Sequence, residues 1–164
     1  MATITTLSNA VGSGNHPSRS IRPVPYMVEN TINFATATTA KGSALALNDV
    51  IEALQIPAQS VVLAAGYEVL SAITGDVTMS LGVTGVAAAA YVSAATLAAA
   101  TSVGTYAATA SAAYPIVSQS ADTLDLLIAA STTALSAGSI RVFAVIIDAN
   151  DRVTATSVDR EQLA

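Results

Sequence analysis

The sequence contains no cysteine and no tryptophan, and it has one histidine among 164 residues. Without cysteine the chain can form neither a disulfide nor a thiolate metal site, so packing and hydrogen bonds must hold the fold together. Nucleophilic catalysis commonly needs a histidine base close to the nucleophile. His16 lies among glycine, proline and serine residues, which offer no rigid support for a base. These absences predict a protein that is not an enzyme and that binds no cofactor.

Charge is also scarce. Charged residues make up 10% of the chain and apolar residues 52%, whereas a typical domain has about 25% charged residues. The 11 acidic and 6 basic residues give a net charge of −5, which argues against nucleic acid as a partner. Because the centres of protein interfaces are depleted in charge, this composition favours a chain whose surface is largely covered by partner chains.

The longest uncharged run covers residues 77–121. A transmembrane helix needs about 20 strongly apolar residues. This run consists mostly of alanine, serine, threonine and glycine, and Gly104 and Pro115 interrupt it. The first ten residues also lack the basic and apolar regions of a secretion signal. We therefore expect neither a transmembrane helix nor a membrane partner.

Two pairs of acidic residues deserve comparison with known sites. Asp122 and Asp125 are three residues apart on a predicted strand, so they should point to opposite faces and cannot share the work of a glycosidase pair. Residues 148–151 (DAND) offer oxygen ligands suited to Ca²⁺, but the glycine and distant glutamate of a calcium loop are missing. A turn is favoured there over a metal site.

The composition divides the chain into three parts. Residues 1–41 are interpreted as an extended N-terminal arm, because Pro23 and Pro25 restrict the backbone around them. Residues 42–148 form the body, and the polar residues 149–164 form a C-terminal tail that is either a solvated end or a short helix at a subunit contact. Five arm residues are predicted to bind partners, the arginines through acidic surfaces and the others in grooves: Arg19, Arg22, Val24, Tyr26 and Met27.

Alternating apolar residues and turn residues predict an all-β body. Strands are expected over residues 61–73, 77–83, 122–128 and 140–147. Gly75-Asp76 should turn the first two into a hairpin, and residues 136–138 should form another turn. The alanine-rich residues 87–99 are interpreted as one short helix or a turn, with Tyr91 and Leu97 anchoring it. No βαβ pattern is present, so we expect an antiparallel β-sandwich, jelly-roll-like in arrangement.

The tyrosines allow two interpretations. As a group, Tyr67, Tyr91, Tyr106 and Tyr114 could form a sugar-binding platform, which would make the protein a tail or fibre-associated module for host glycans. Tyrosines in an alanine-rich body more often fill core or interface positions, and the chain has no tryptophan to add to such a platform.

Four patches carry a resemblance to a known family. They are residues 48–58 (NDVIEALQIPA), 66–70 (GYEVL), 78–85 (TMSLGVTG) and 140–147 (IRVFAVII). Their order and spacing resemble those of capsid decoration (cement) proteins of tailed phages. The resemblance implies a virion structural protein on the outer surface of the phage head that contacts the major capsid protein and forms a homo-oligomer, with a trimer favoured. It covers the body and not the arm or the tail.

Overall fold

The computed structural model describes residues 3–5, 25–83, 87–108, 116–118 and 120–148. This part of the chain contains eight strands and one helix, in the following order: β1 (Thr3–Thr5), β2 (Tyr26–Asn33), α1 (Phe34–Lys41), β3 (Val50–Ile56), β4 (Ser60–Val83), β5 (Ala87–Ala98), β6 (Tyr106–Ala108), β7 (Ile116–Ser118) and β8 (Asp122–Asp148). The predicted all-β, sandwich-like class is confirmed.

Among the described residues, no helix has both the length and the apolar character needed to cross a membrane.

Two very long strands organise the fold. β4 and β8 pair antiparallel from Ser60 opposite Asp148 to Gly82 opposite Asp125. The predicted turns at Gly75-Asp76 and at residues 136–138 are wrong, because β4 and β8 run straight through them. The glycines at these places bend the strands instead of reversing them. Gly75 has φ +140° and Gly138 has φ +112°, and the register between the strands shifts repeatedly there, as it does at β-bulges.

The bent strands produce two layers. In the first layer, residues 139–148 of β8 lie between β2 and β4, and β6 and β7 pair with β4 on its other side. In the second layer, β3 and β5 flank the other ends of β8 and β4, and β1 pairs with β3. Side chains from both layers join one hydrophobic cluster. The Tyr91 hydroxyl of β5 donates to the Val62 carbonyl oxygen of β4 at 3.3 Å, which links the layers.

The N-terminal boundary of the body differs from the predicted one. Residues 26–41, predicted as part of an extended arm, form β2 and α1. Val28 and Ile32 point into the core from alternate positions of β2, and Phe34 is fully buried at the start of α1. The helix begins there because the Asn33 side chain accepts hydrogen bonds from two backbone amides of the first turn, at 2.9 and 3.3 Å. Residues 6–24 of the predicted arm and the tail lie outside the described residues.

The alanine-rich segment is a strand and not the predicted helix or turn. β5 pairs antiparallel with β4, and the two predicted anchors, Tyr91 and Leu97, are fully buried. Gly82 makes this pairing possible, since a Cβ atom at that position would lie 2.0 Å from the Ala87 carbonyl oxygen. Pairing with a neighbouring strand therefore overrides the helix preference of alanine, which is a weak preference per residue.

Candidate interaction surface

The first layer turns one face away from the core. Along β2, burial alternates: Val28 is in the core, whereas Met27 and Glu29 are exposed. β8 repeats the pattern. Val142 and Ala144 are buried, whereas Arg141, Phe143 and Val145 are half-buried. Strand geometry places alternate residues on opposite sides. We define the outer face by the outward residues of these strands and their neighbours: Met27, Glu29, Thr31, Ala64, Glu68, Tyr106, Arg141, Phe143 and Val145.

The strand register arranges the outer face in rows. One row crosses four strands, from Thr31 through Arg141 and Glu68 to Tyr106. A parallel row is entirely apolar and joins Met27, Val145 and Ala64. Residues opposite one another in adjacent strands have their Cβ atoms about 4.5–5.5 Å apart. The outer face is therefore one continuous surface and not a scatter of separate side chains.

A small ion network lies within this face. Arg141 donates to the Glu68 carboxylate through Nη2, and its Nη1 lies 3.5 Å from Glu29 Oε2. The side chains of Arg141 and Glu29 are 42% and 49% exposed, so solvent screens the network and its stabilising effect is small. Two carboxylates share one guanidinium, which leaves this part of the face with an excess of negative charge.

Apolar side chains surround the network. Met27 is 61% exposed and Tyr106 69%. The half-buried Phe143 lies opposite Glu29, in the row between the row of Met27 and the row of Tyr106. Leu70 and Val103, 38% and 62% exposed, continue the apolar surface near Tyr106, because the strand and turn that carry them are joined by a 2.8 Å hydrogen bond from Gly104 N to the Val69 carbonyl oxygen. Aromatic residues, methionine and arginine are the types enriched at protein interfaces.

The structure describes two of the five arm residues predicted to bind partners. Tyr26 is partly buried and packs against the core, so it is mainly a residue of the body. Met27 points outward and belongs to the outer face. Arg19, Arg22 and Val24 lie outside the described residues. A partner-binding role for all five stays a prediction. The other outer-face residues were not predicted, although the alternation around Arg141 in residues 140–147 is a signal that could have found them.

The acidic residues that the sequence offers as a metal or catalytic site do not come together in the part of the chain that the structure describes. Within the described ranges no group of three or more histidine, cysteine, aspartate or glutamate side chains could hold a metal ion. Asp122 accepts a hydrogen bond from the backbone amide of Thr123 at 2.8 Å, whereas Asp125 is 5% exposed. Asp151 lies outside the described residues.

Two of the tyrosines are core residues. Tyr91 is fully buried and Tyr67 is 2% exposed, so neither ring can stack on a sugar. Burial also raises the pKa of the Tyr67 hydroxyl, because a phenolate would lose its hydration there. Tyr106 is on the surface, and Tyr114 lies outside the described residues. Of the three tyrosines of this group that the structure describes, only Tyr106 is exposed for a sugar to stack on.

Comparisons with known proteins add one kind of finding. No family model matches the sequence, and no curated protein sequence matches it. The fold is similar to that of a chain in the capsid of Ralstonia phage GP4, with a TM-score of 0.62 and 19% identity over 90% of this chain and 98% of that chain. A chain in the capsid asymmetric unit of cyanophage Pam1 gives a TM-score of 0.56 and 20% identity, over 87% of this chain and 97% of that one. Both similarities extend over nearly whole chains.

Proposed function

We propose that the protein is a virion structural protein that decorates the outer surface of a phage head and stabilises contacts between major capsid subunits. The observation that carries the proposal is the whole-chain likeness to a phage capsid chain, with 98% of that chain covered. Because the match covers 90% of this chain and 98% of that chain, the likeness extends over nearly all of both chains and is not limited to one domain.

The outer face is the surface that contacts the capsid in this proposal. Its exposed Met27 and Tyr106 supply apolar contact area, and the Glu29–Arg141–Glu68 network supplies directional polar contacts. Low overall charge, 10% of residues, suits a surface that is covered in the assembled particle. Each contact is weak by itself, but a homo-oligomer, with a trimer favoured, engages several at once and so binds much more tightly.

Residues 1–24 add a second attachment in this proposal. Arg19 and Arg22 pair with acidic capsid surface, and Val24 docks in a groove beside Met27. This part of the chain precedes β2, which begins at Tyr26. Removing residues 1–30 would also remove most of β2, and removing residues 1–24 would still remove β1, so the arm is tested by substituting Arg19 and Arg22 and not by truncation.

Binding to phage heads that lack the protein tests the proposal. Heads are incubated with the full chain, sedimented, and analysed for bound protein. We expect saturable binding, and we expect the double variant Met27→Lys/Tyr106→Lys to bind at least about tenfold more weakly, as loss of central interface contacts does. Both positions are exposed, and lysine is tolerated at strand edges, so the fold should persist. Failure of the unmodified chain to bind heads would overturn the proposal.

Two controls separate the outer face from the arm. Gln55→Lys/Thr96→Lys adds the same two positive charges at exposed positions of the second layer, away from the outer face, and should bind normally. Arg19→Gln/Arg22→Gln keeps the chain length and should bind more weakly, with a reduced dependence of affinity on salt, because fewer charges then contribute to the contact. Equal binding by Gln55→Lys/Thr96→Lys and the outer-face variant would show that the outer face is not the contact.

A further inference from the structure

The edge of β3 is occupied by a short strand from the N-terminus. β1 lies parallel to β3, with Thr3 opposite Val50, Ile4 opposite Ile51 and Thr5 opposite Glu52. Among the described strands, β3 pairs only with β1 on one side and β8 on the other. Val50 and Ile51 are 2% and 0% exposed, so this is a largely apolar edge. If β1 left, this edge would be open, and an open edge is a ready template for a strand from another chain.

The way β1 reaches this edge does not fix which chain supplies it. Parallel strands cannot be joined by a tight turn and need a long connection. Here residues 6–24 separate β1 from the start of the body, and they include Gly12, Gly14, Pro17 and Pro23. Because every copy carries the same β1 sequence, β3 makes the same backbone hydrogen bonds with its own β1 or with that of a neighbour. Exchange of an identical element between copies therefore has a low energetic cost.

Concentration decides between the two sources. A strand tethered through a short connection has an effective concentration of about 1 mM, and this value falls as the number of connecting residues grows; here residues 6–24 connect β1 to the body. Copies fixed side by side on a particle present their N-terminal strands at a comparable or higher local concentration. We infer that in the assembly the β3 edge receives β1 of a second copy, so that strand exchange links the copies. The inference rests on the proposed function, which brings the copies together.

Cysteine cross-linking tests the inference, because the natural chain contains no cysteine. Thr5→Cys and Glu52→Cys lie opposite each other in the parallel register, within the separation that a disulfide needs. The two single variants, one with a tag that changes its mass, are co-produced, bound to heads and oxidised. A disulfide between them can form only between copies. We expect this mixed dimer to exceed either same-variant dimer at least about fivefold, and to exceed the out-of-register mixture of Thr5→Cys with Gln55→Cys.

The double variant Thr5→Cys/Glu52→Cys gives the complementary result. Strand exchange predicts a ladder of disulfide-linked chains, whereas a strand that stays on its own body gives an oxidised monomer and overturns the inference. Absence of either product would also overturn it, because β1 would then not lie on β3. Head binding is measured in the same samples. Binding with only the oxidised monomer leaves the proposed function standing, whereas linked chains that fail to bind heads overturn the function and support the exchange.

Discussion

Asn30 in β2 donates a hydrogen bond through Nδ2 to the carbonyl oxygen of Ala53 in β3, at 2.9 Å. The bond joins the two layers within the core, where Asn30 is 5% exposed and Ala53 is fully buried. Ala53 lies where the register of β3 with β8 shifts between Glu52 and Leu54. A bulge locally disrupts the hydrogen bonds between paired strands. The side-chain amide of Asn30, in the opposite layer, therefore supplies a hydrogen-bond donor for the Ala53 carbonyl oxygen.

The first prediction concerns this bond. Asn30→Ala should lower the free energy of unfolding by about 1–3 kcal/mol, because a buried carbonyl oxygen would lose its side-chain donor. Urea denaturation measures the change. The matched control is Thr31→Ala, at the exposed neighbouring position, which should stay within about 0.5 kcal/mol of the unmodified protein. Equal effects of the two substitutions would contradict a structural role for the bond.

The second prediction concerns the glycines that bend the long strands. A Cβ atom at Gly75 would lie 2.7 Å from the Leu135 Cα atom, and one at Gly138 would lie 2.8 Å from the Ala72 carbonyl oxygen. Gly42 also has a positive φ, +81°, but has open space around it. Gly42→Ala should therefore cost about 1 kcal/mol through backbone strain. Gly75→Ala and Gly138→Ala should each cost about 1–3 kcal/mol more, through overlap with the opposite strand. Thermal unfolding of the three variants makes the comparison, and equal losses would exclude the close approach.

The third prediction concerns a buried ion pair. Lys41 at the end of α1 pairs with Asp49, whose Oδ2 also accepts a hydrogen bond from Ala46 N at 2.8 Å. The Asp49 side chain is 5% exposed and that of Lys41 15%. Asp49→Ala should cost about 3–5 kcal/mol, since it leaves a largely buried ammonium group without its partner. Asp49→Asn keeps an acceptor for Ala46 and should cost less. Chemical denaturation of both variants is the measurement, and an equal loss would assign the effect to the lost carboxylate charge alone and not to the contact with Ala46.

A fourth prediction contrasts with the third. Arg141→Gln removes the network of the outer face but should lower the free energy of unfolding by less than about 1 kcal/mol, because exposed ion pairs are screened by solvent. The difference should shrink further in 1 M salt, where charges interact over only about 3 Å. Denaturation at low and high salt tests this. A large, salt-independent loss would show that the Arg141 side chain stabilises the protein mainly by packing.

The fifth prediction concerns alkaline pH. Burial raises the pKa of Tyr67 above its ordinary value of 10.0, so above about pH 10 the unfolded chain loses this proton while the folded chain keeps it. The unfolded state then binds fewer protons, and stability falls as pH rises. Tyr67→Phe should flatten this part of the curve of unfolding free energy against pH between 9 and 11.5. Thr31→Ala, at an exposed position, removes no titratable group, so it is the control and should leave the slope unchanged.

Part of the candidate surface could be predicted from the sequence. The sequence predicts Met27 and Tyr26 as contact residues, and for both this stays a prediction. The structure shows that Met27 is exposed on the outer face and that Tyr26 packs partly against the core, because adjacent residues of a strand point to opposite sides. Glu68 and Tyr106 could not be assigned to one surface, since their positions opposite each other depend on which strands pair.

The sequence by itself determined the all-β fold class and the character of several segments. Alternating apolar residues indicate strands, because which face of a strand is buried depends on local spacing. Tertiary structure alone decided that Gly75 and Gly138 bend continuous strands, that residues 87–98 are a strand, and that β2 belongs to the body. A glycine with positive φ suits a turn and a bulge equally well, and only pairing with a distant strand selects one of them.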